Sequence, residues 1–217
     1  MKLDDVIKTF CVCGLLLGTV SVSFAENIDP YEDDSQYAYG ENVGWLNFEP
    51  NEGPGVTVDD SNLTGYVWAE NIGWINLSCV NTGYCGKVDF GVTNDGAGNL
   101  SGYAWSENAG WISFSCDNTA SCRKVDYGVT IDFDGNFSGY AWGENIGWIN
   151  FDSAELYGYG VLACKVNCID LGNFVDDWLD SGNVPGNLND DRNVDFKDYS
   201  ILASYWLSYC PDDWPLK

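Results

Sequence analysis

The residues of this chain best suited to chemistry are oxygen donors and aromatic rings. Asn187, Asn189, Asp191, Asp195 and Asp198 stand at positions 1, 3, 5, 9 and 12 of one short stretch, and Asn193 at position 7 would add its backbone carbonyl. That rhythm suits a hard divalent cation of flexible geometry and predicts one bound Ca2+. Val194 at position 8 would anchor the loop to a core, and the three carboxylates give the site a charge of −3 before metal arrives. The competing reading is an acidic loop that caps the helix after it.

The aromatic candidates are Tyr66 and Trp68, Tyr103 and Trp105, and Tyr140 and Trp142. Each pair is spaced by two and shares one face of a strand. If exposed, such rings would stack on the apolar faces of sugars; core packing is the role expected for most of them. Glu70, Glu107 and Glu144 also recur. A hydrolase needs two carboxylates in unlike environments, so equivalent copies point to turn chemistry and no catalytic residue is expected. The chain has no histidine, which removes the usual general base and the commonest zinc ligand.

A repeat must position these rings. Residues 37–48, 66–77, 103–114 and 140–151 share the pattern Tyr-x-Trp/Tyr-x-Glu-Asn-x-Gly-Trp, and the second tryptophans lie 29, 37 and 37 residues apart. A period in that range marks an array of supersecondary units. Residues 55–59, 91–95 and 128–132 form an upstream strand in three copies, with Val125, Tyr127, Val129 and Ile131 alternating at a period of two. Asp-, Gly- and Asn-rich turns follow, as at residues 132–136. Each unit therefore reads as a three-stranded meander too small to stand alone. Stacked copies can share a core, as a solenoid-like array or as a sandwich. Similar Trp-rich repeats occur in exported bacterial proteins.

The first 25 residues read as a secretory signal, with an apolar run from Phe10 to Phe24 and small residues Ser23 and Ala25 before the cut. Seven cysteines remain beyond it, which in an exported chain form a disulfide framework with one left over. Cys79 with Cys85 and Cys116 with Cys122 occupy the same place in two copies and predict local bridges. Cys164 with Cys210 is the preferred third bridge, with Cys168–Cys210 as the alternative. The formal net charge of −24 repels nucleic acid and anionic lipid, and no membrane span is expected. Apolar content of 45% and aromatic content of 15% supply a real core.

Composition changes after Phe151, and glycines and tyrosines at 157–160 look like a hinge. Leu171, Phe174, Val175, Trp178 and Leu179, and again Tyr199, Leu202, Ala203, Trp206 and Leu207, follow helical spacing, the two copies offset by 28 residues. On the loop residues 187–198 and this duplication, residues 161–217 resemble a dockerin type I module, an EF-hand-like tandem of loop–helix units. The resemblance implies calcium binding and a cohesin-like or cell-surface protein partner. The first copy retains only Asn167 and Asp170 of the ligand set, with Tyr159, Val161 and Ala163 at the other ligand positions.

The expected organisation is a signal peptide over 1–25, a Trp-rich β-repeat domain over 26–156 and a small all-α dockerin-like domain over 157–217. The expected function is that of a secreted, non-catalytic structural or interaction protein attached outside a bacterial cell by its tail. The alternative is a carbohydrate-binding protein associated with extracellular polysaccharide degradation.

Overall fold

The computed structural model describes residues 27–152, 158–211 and 214–217; the expected signal segment lies outside them. Within each repeat, alternation of large and small apolar residues makes strands, and the Glu-Asn-x-Gly tetrad makes the turn between them. Among the described residues eleven strands result: β1 Tyr37–Gly40, β2 Gly44–Asn47, β3 Val56–Val58, β4 Asn62–Ala69, β5 Gly73–Asn76, β6 Val92–Asn94, β7 Leu100–Ser106, β8 Gly110–Ser113, β9 Val129–Ile131, β10 Phe137–Gly143 and β11 Gly147–Asn150. All their pairings are antiparallel.

The repeats form neither a solenoid nor a sandwich. Four hairpins, β1–β2, β4–β5, β7–β8 and β10–β11, pair side by side in a ring. The ring closes where Tyr39 meets Asn150 and Gly40 meets Ile149. An eight-stranded barrel is the outcome, because four twisted hairpins complete one circuit and closure removes the edges a linear array would expose.

A second tier sits on the first. β3, β6 and β9 pair with the N-terminal halves of β4, β7 and β10. Each long strand changes tier at Gly65, Gly102 or Gly139, where φ is +91°, +82° and +90°. A Cβ there would collide with the carbonyl oxygen of Gly55, Gly91 or Gly128, so only glycine serves. The fourth place in this tier belongs to residues 161–163, which bridge Gln36, Asn136 and Ile28. The circuit returns to β3 through Asn27, whose side chain takes Val58 N–H and donates to Val58 C=O, both at 2.8 Å.

The core fills the tube in layers. Ala38, Val67, Ala104 and Ala141 alternate with Leu46, Ile75, Ile112 and Ile149 inside the ring. Phe48, Phe114, Phe137 and Phe151 pack on one another above them. The turn tetrad closes the lower end. Its third residue (Val43, Ala109 or Ile146) is buried, with Ile72 partly so. Its asparagine ties neighbouring copies together: Asn71 donates to Val43 C=O, Asn108 to Ile72, Asn145 to Ala109 and Asn42 to Ile146, all at 3.0 to 3.1 Å. Bulk is balanced locally, since a Cβ on Gly40 or Gly143 would lie 2.5 Å from Val43 or Ile146.

The tail departs from the dockerin expectation. Among its described residues the only α-helices are α1 Cys168–Asp176 and α2 Phe196–Ser204, each started by a capping box, at Asn167/Asp170 and Asp195/Asp198. An all-α dockerin module is not formed. The supposed first loop is not a metal loop, because Val161 and Ala163 lie in the upper barrel tier and are buried in its core. The helical stripes are mostly uncovered: Phe174 and Leu202 are buried, whereas Val175, Leu179, Tyr199 and Leu207 are exposed. Two short helices without a third layer cannot cover both stripes.

A small second cluster of Val166, Phe174, Val194, Leu202 and Leu216 is stapled by Cys164–Cys210. Buried Asp170 accepts from Trp214 Nε1 at 2.6 Å and from Lys217 Nζ at 2.8 Å, and Lys217 also donates to Lys165 C=O at 2.8 Å. An ammonium thus satisfies the carboxylate that the degenerate first copy retains.

Tyr209 joins the barrel core instead of the tail cluster. Asn94 Nδ2 donates to its hydroxyl at 3.1 Å. Burial pushes its pKa up to about 12 from an ordinary value of 10.0, with Asp60 and Asp59 adding to the rise against the Asn94 hydrogen bond. The folded state holds this proton more tightly than the unfolded chain, so the stabilisation is complete below pH 10 and is lost as the pH rises towards 12. The alkaline fall in melting temperature is therefore expected to be shallower in Tyr209→Phe than in the natural chain, measured side by side from pH 9 to 12.

Candidate functional site

The Tyr-x-Trp pairs face outward, contrary to the expected core role. Ala38, Val67, Ala104 and Ala141, between the paired rings, point inward and fill the tube, so strand alternation places the larger rings outside. Trp45, Trp68, Trp74 and Trp111 are between 39% and 44% exposed. Trp105, Trp142 and Trp148 are half-buried. Cross-strand pairing sets each Tyr-x-Trp tryptophan against the one that opens the return strand. Trp68 and Trp74 centroids lie 4.9 Å apart, Trp105 and Trp111 4.6 Å, and Trp142 and Trp148 4.5 Å, at steep interplanar angles. Such offset, steeply inclined contacts are favourable for ring quadrupoles.

A third ring joins three of the clusters, and the sequence reading missed its role. Phe90 packs on Trp111, Tyr127 on Trp148 and Tyr159 on Trp45, with centroids 5.0 to 5.3 Å apart. Each comes two residues before a valine of the upper tier (Val92, Val129 or Val161), and that recurrence was the available signal. In the remaining copy Gly53 lies against the Trp74 ring instead.

Between the third and fourth clusters the outer wall opens into a groove of about 910 Å³, whose lining includes Tyr103, Trp111, Tyr127, Trp142 and Trp148. Its depth comes from linker length. The linkers after β5 and β8 belong to the 37-residue spacings, the one after β2 to the 29-residue spacing. In each longer linker a 3-10 turn, Cys79–Thr82 or Cys116–Thr119, is closed by the expected disulfide, Cys79–Cys85 or Cys116–Cys122. Asn81 and Asn118 fix these loops by pairing with both backbone groups of Gly65 and Gly102, at 2.7 to 3.0 Å. Thr119 and Ser121 of the second loop, with Val88, Asp89 and Phe90 beyond the first, line the groove. Tyr127 is held in place by donating to Ser113 Oγ at 3.0 Å.

Of the expected stacking residues, Tyr103 and Trp142 line this groove. Trp105 contacts it through Trp111, and Tyr140 through Trp148. Tyr66 and Trp68 belong to the second copy's cluster, away from it. Burial raises the Tyr66 hydroxyl above its ordinary pKa. Glu70, Glu107 and Glu144 occupy equivalent exposed turns, as expected, and Glu144 alone of them lines the groove. The Cys79–Cys85 and Cys116–Cys122 sulfurs lie beside Asp89 and Asp126. Bonded to each other, they are not the thiolates a zinc site requires.

The residues 187–198 bend into a loop with Asp190 and Arg192 at positive φ, 58° and 74°. Asp198 accepts from Asn189 N–H at 3.1 Å and from Asp195 N–H at 2.9 Å. Asn189 and Asp195 accept from Asp191 and Lys197 N–H, and Asp191 accepts from Asn193 N–H. The Lys197 ammonium sits 2.7 Å from Asp191 Oδ2. Its hydrogen bond holds the Asp191 carboxyl below the usual range, and the same contact raises Lys197. Asn187 Oδ1 is buried without a hydrogen-bond partner.

The third bridge, Cys164–Cys210, forms as preferred, and Cys168 is free and exposed. No helix among the described residues is long and apolar enough to cross a membrane. No protein-family model matches the chain, and neither does any curated protein or solved structure, so no relative supports the dockerin resemblance.

Proposed function

We propose that this protein is an exported, non-catalytic carbohydrate-binding barrel, with a saccharide chain lying in the groove between the third and fourth repeats. The observation that carries this reading is the outward presentation of Trp111, Trp142 and Trp148 in one groove, framed by Tyr103 and Tyr127. Aliphatic side chains and phenylalanines fill the tube, and the tryptophan faces are left partly in water. Rings held by a disulfide loop and by the Tyr127–Ser113 hydrogen bond lose little freedom when a ligand arrives, which favours binding. Hydroxyls of Thr93, Thr119 and Ser121 supply polar partners along the same wall. Glu41, Glu70, Glu107 and Glu144 stand on equivalent exposed turns and form no opposed pair in unlike environments, so binding without turnover is the proposed activity. Three disulfides fit an oxidising compartment, and the signal-like segment supports export.

The full chain is expected to be retained on at least one insoluble polysaccharide in a panel of glycans. Trp111→Ala should weaken that retention roughly tenfold, as for loss of a central aromatic anchor, whereas Trp74→Ala, outside the groove, should not. Failure to bind any glycan would leave the barrel as a structural or protein-interaction scaffold.

A second, separate proposal concerns the 187–198 loop. We propose that it takes up one calcium ion through Asn187, Asn189, Asp191, the Asn193 carbonyl, Asp195 and Asp198. The support is Asn187 Oδ1, a buried acceptor with no donor, which a cation would satisfy. Lys197 competes for Asp191 and must swing away. Calorimetry on the full chain should show one site, lost in Asp191→Ala and tightened in Lys197→Ala. Absence of heat in both the natural chain and Lys197→Ala would mean that the loop is an acidic helix cap closed by its own lysine.

A further inference from the structure

The charges of the groove carry the ligand assignment further, on the footing that the groove is a glycan site. Its lining includes two carboxylates, Asp89 beside Phe90 and Glu144 on the turn after Trp142; the cations nearest in sequence, Lys87, Arg123 and Lys124, are exposed and outside the lining. Asp89 and Glu144 are exposed, so both can meet a ligand without breaking a buried contact. They sit on a chain of formal net charge −24. An acidic groove of this kind disfavours uronate or sulfated chains through like-charge repulsion and concentrates cations near its walls. Aromatic faces act in the same sense, because the negative face of an indole or phenol ring attracts an ammonium as well as an apolar C–H surface. Trp111, Trp142, Trp148, Tyr103 and Tyr127 therefore reinforce what the two carboxylates begin.

We infer that the groove selects a polysaccharide carrying free amino groups, of the glucosamine type, over neutral or anionic chains: the amines meet Asp89 and Glu144 while the sugar faces meet Trp111, Trp142 and Trp148. A neutral sugar would engage the same rings but leave both carboxylates to water. An N-acetylated chain would keep the shape and lose the charge, which makes it the sharpest comparison.

The test uses the full chain and four soluble hexasaccharides in calorimetry: fully deacetylated glucosamine, its N-acetylated counterpart, β-linked glucose and an oligouronate. At low salt the glucosamine chain is expected to bind roughly tenfold more tightly than the N-acetylated one, the sum of two exposed charge pairs in the upper half of their range. That preference should shrink as salt is raised and as rising pH removes the amine's proton. Asp89→Asn with Glu144→Gln should bring the ratio near unity. Glu41→Gln, on the equivalent turn of the first copy outside the groove, should retain it. Equal binding of glucosamine and N-acetylated chains, or a preference that survives the double substitution, overturns this inference and leaves the glycan-binding reading standing. Failure of all four chains to bind also overturns this inference, and the glycan-binding reading then falls only if the insoluble panel fails as well.

Discussion

The pairing of the first hairpin with the last, β1 against β11, is the constraint on which the rest of the molecule depends. With it, four short hairpins form a tube without edges; without it they are a curved strip with two exposed ends. The asparagine of each turn repeats the same logic with side chains. Asn42 reaches back to Ile146 across the closure as Asn71, Asn108 and Asn145 reach to their preceding copies. The upper tier closes at the same place by borrowing residues 161–163 from beyond the fourth repeat. The tail is therefore part of the barrel before it is anything else, and Tyr209 and the Cys164–Cys210 bridge hold it there.

Closure also explains why the aromatic rings are outside. The interior of an eight-stranded tube has room for one layer of modest side chains at each level. Alanines and a valine opposite leucine and isoleucines occupy it, so the alternate positions must face outward. What those outer positions become depends on the linkers. The short linker leaves the second copy's Trp74 against Gly53. The two longer ones fold into disulfide-closed loops, each locked by an asparagine to the glycine at which a long strand changes tier, and form the walls of the groove. Rigidity in the tube and added length in the linkers together make a fixed, partly desolvated aromatic surface.

Much of this was legible in the chain. The recurrence of Trp45, Trp74, Trp111 and Trp148 marked four equivalent units, the alternation at Val125–Ile131 marked strands, and the Cys-x₅-Cys spacing marked two local bridges. The closed ring was not legible, because closure depends on strand twist summed around the circuit and on a pairing between residues far apart in sequence. The orientation of the rings was missed for a related reason. Alternation says that Tyr66 and Trp68 share a face, but which face is inside depends on the radius of a tube not yet known. The tail misled for a physical reason as well. Val161 and Ala163 fit a degenerate loop by count, yet their apolar side chains are buried in the upper-tier core, and the helical stripes at Val175 and Leu179 carry the right period without a layer to cover them. Capping residues Asn167, Asp170, Asp195 and Asp198 were visible as oxygens at the right spacing; the structure uses them first for backbone N–H groups.

Native-state hydrogen exchange on the full chain tests the closure most directly. If the first and last hairpins are sealed, the ladder amides of β1 and β11 should exchange only with the same global opening that releases those of β4 and β7. Exchange of β1 and β11 by local fraying, orders of magnitude faster than the central hairpins, would show an open strip and contradict the account.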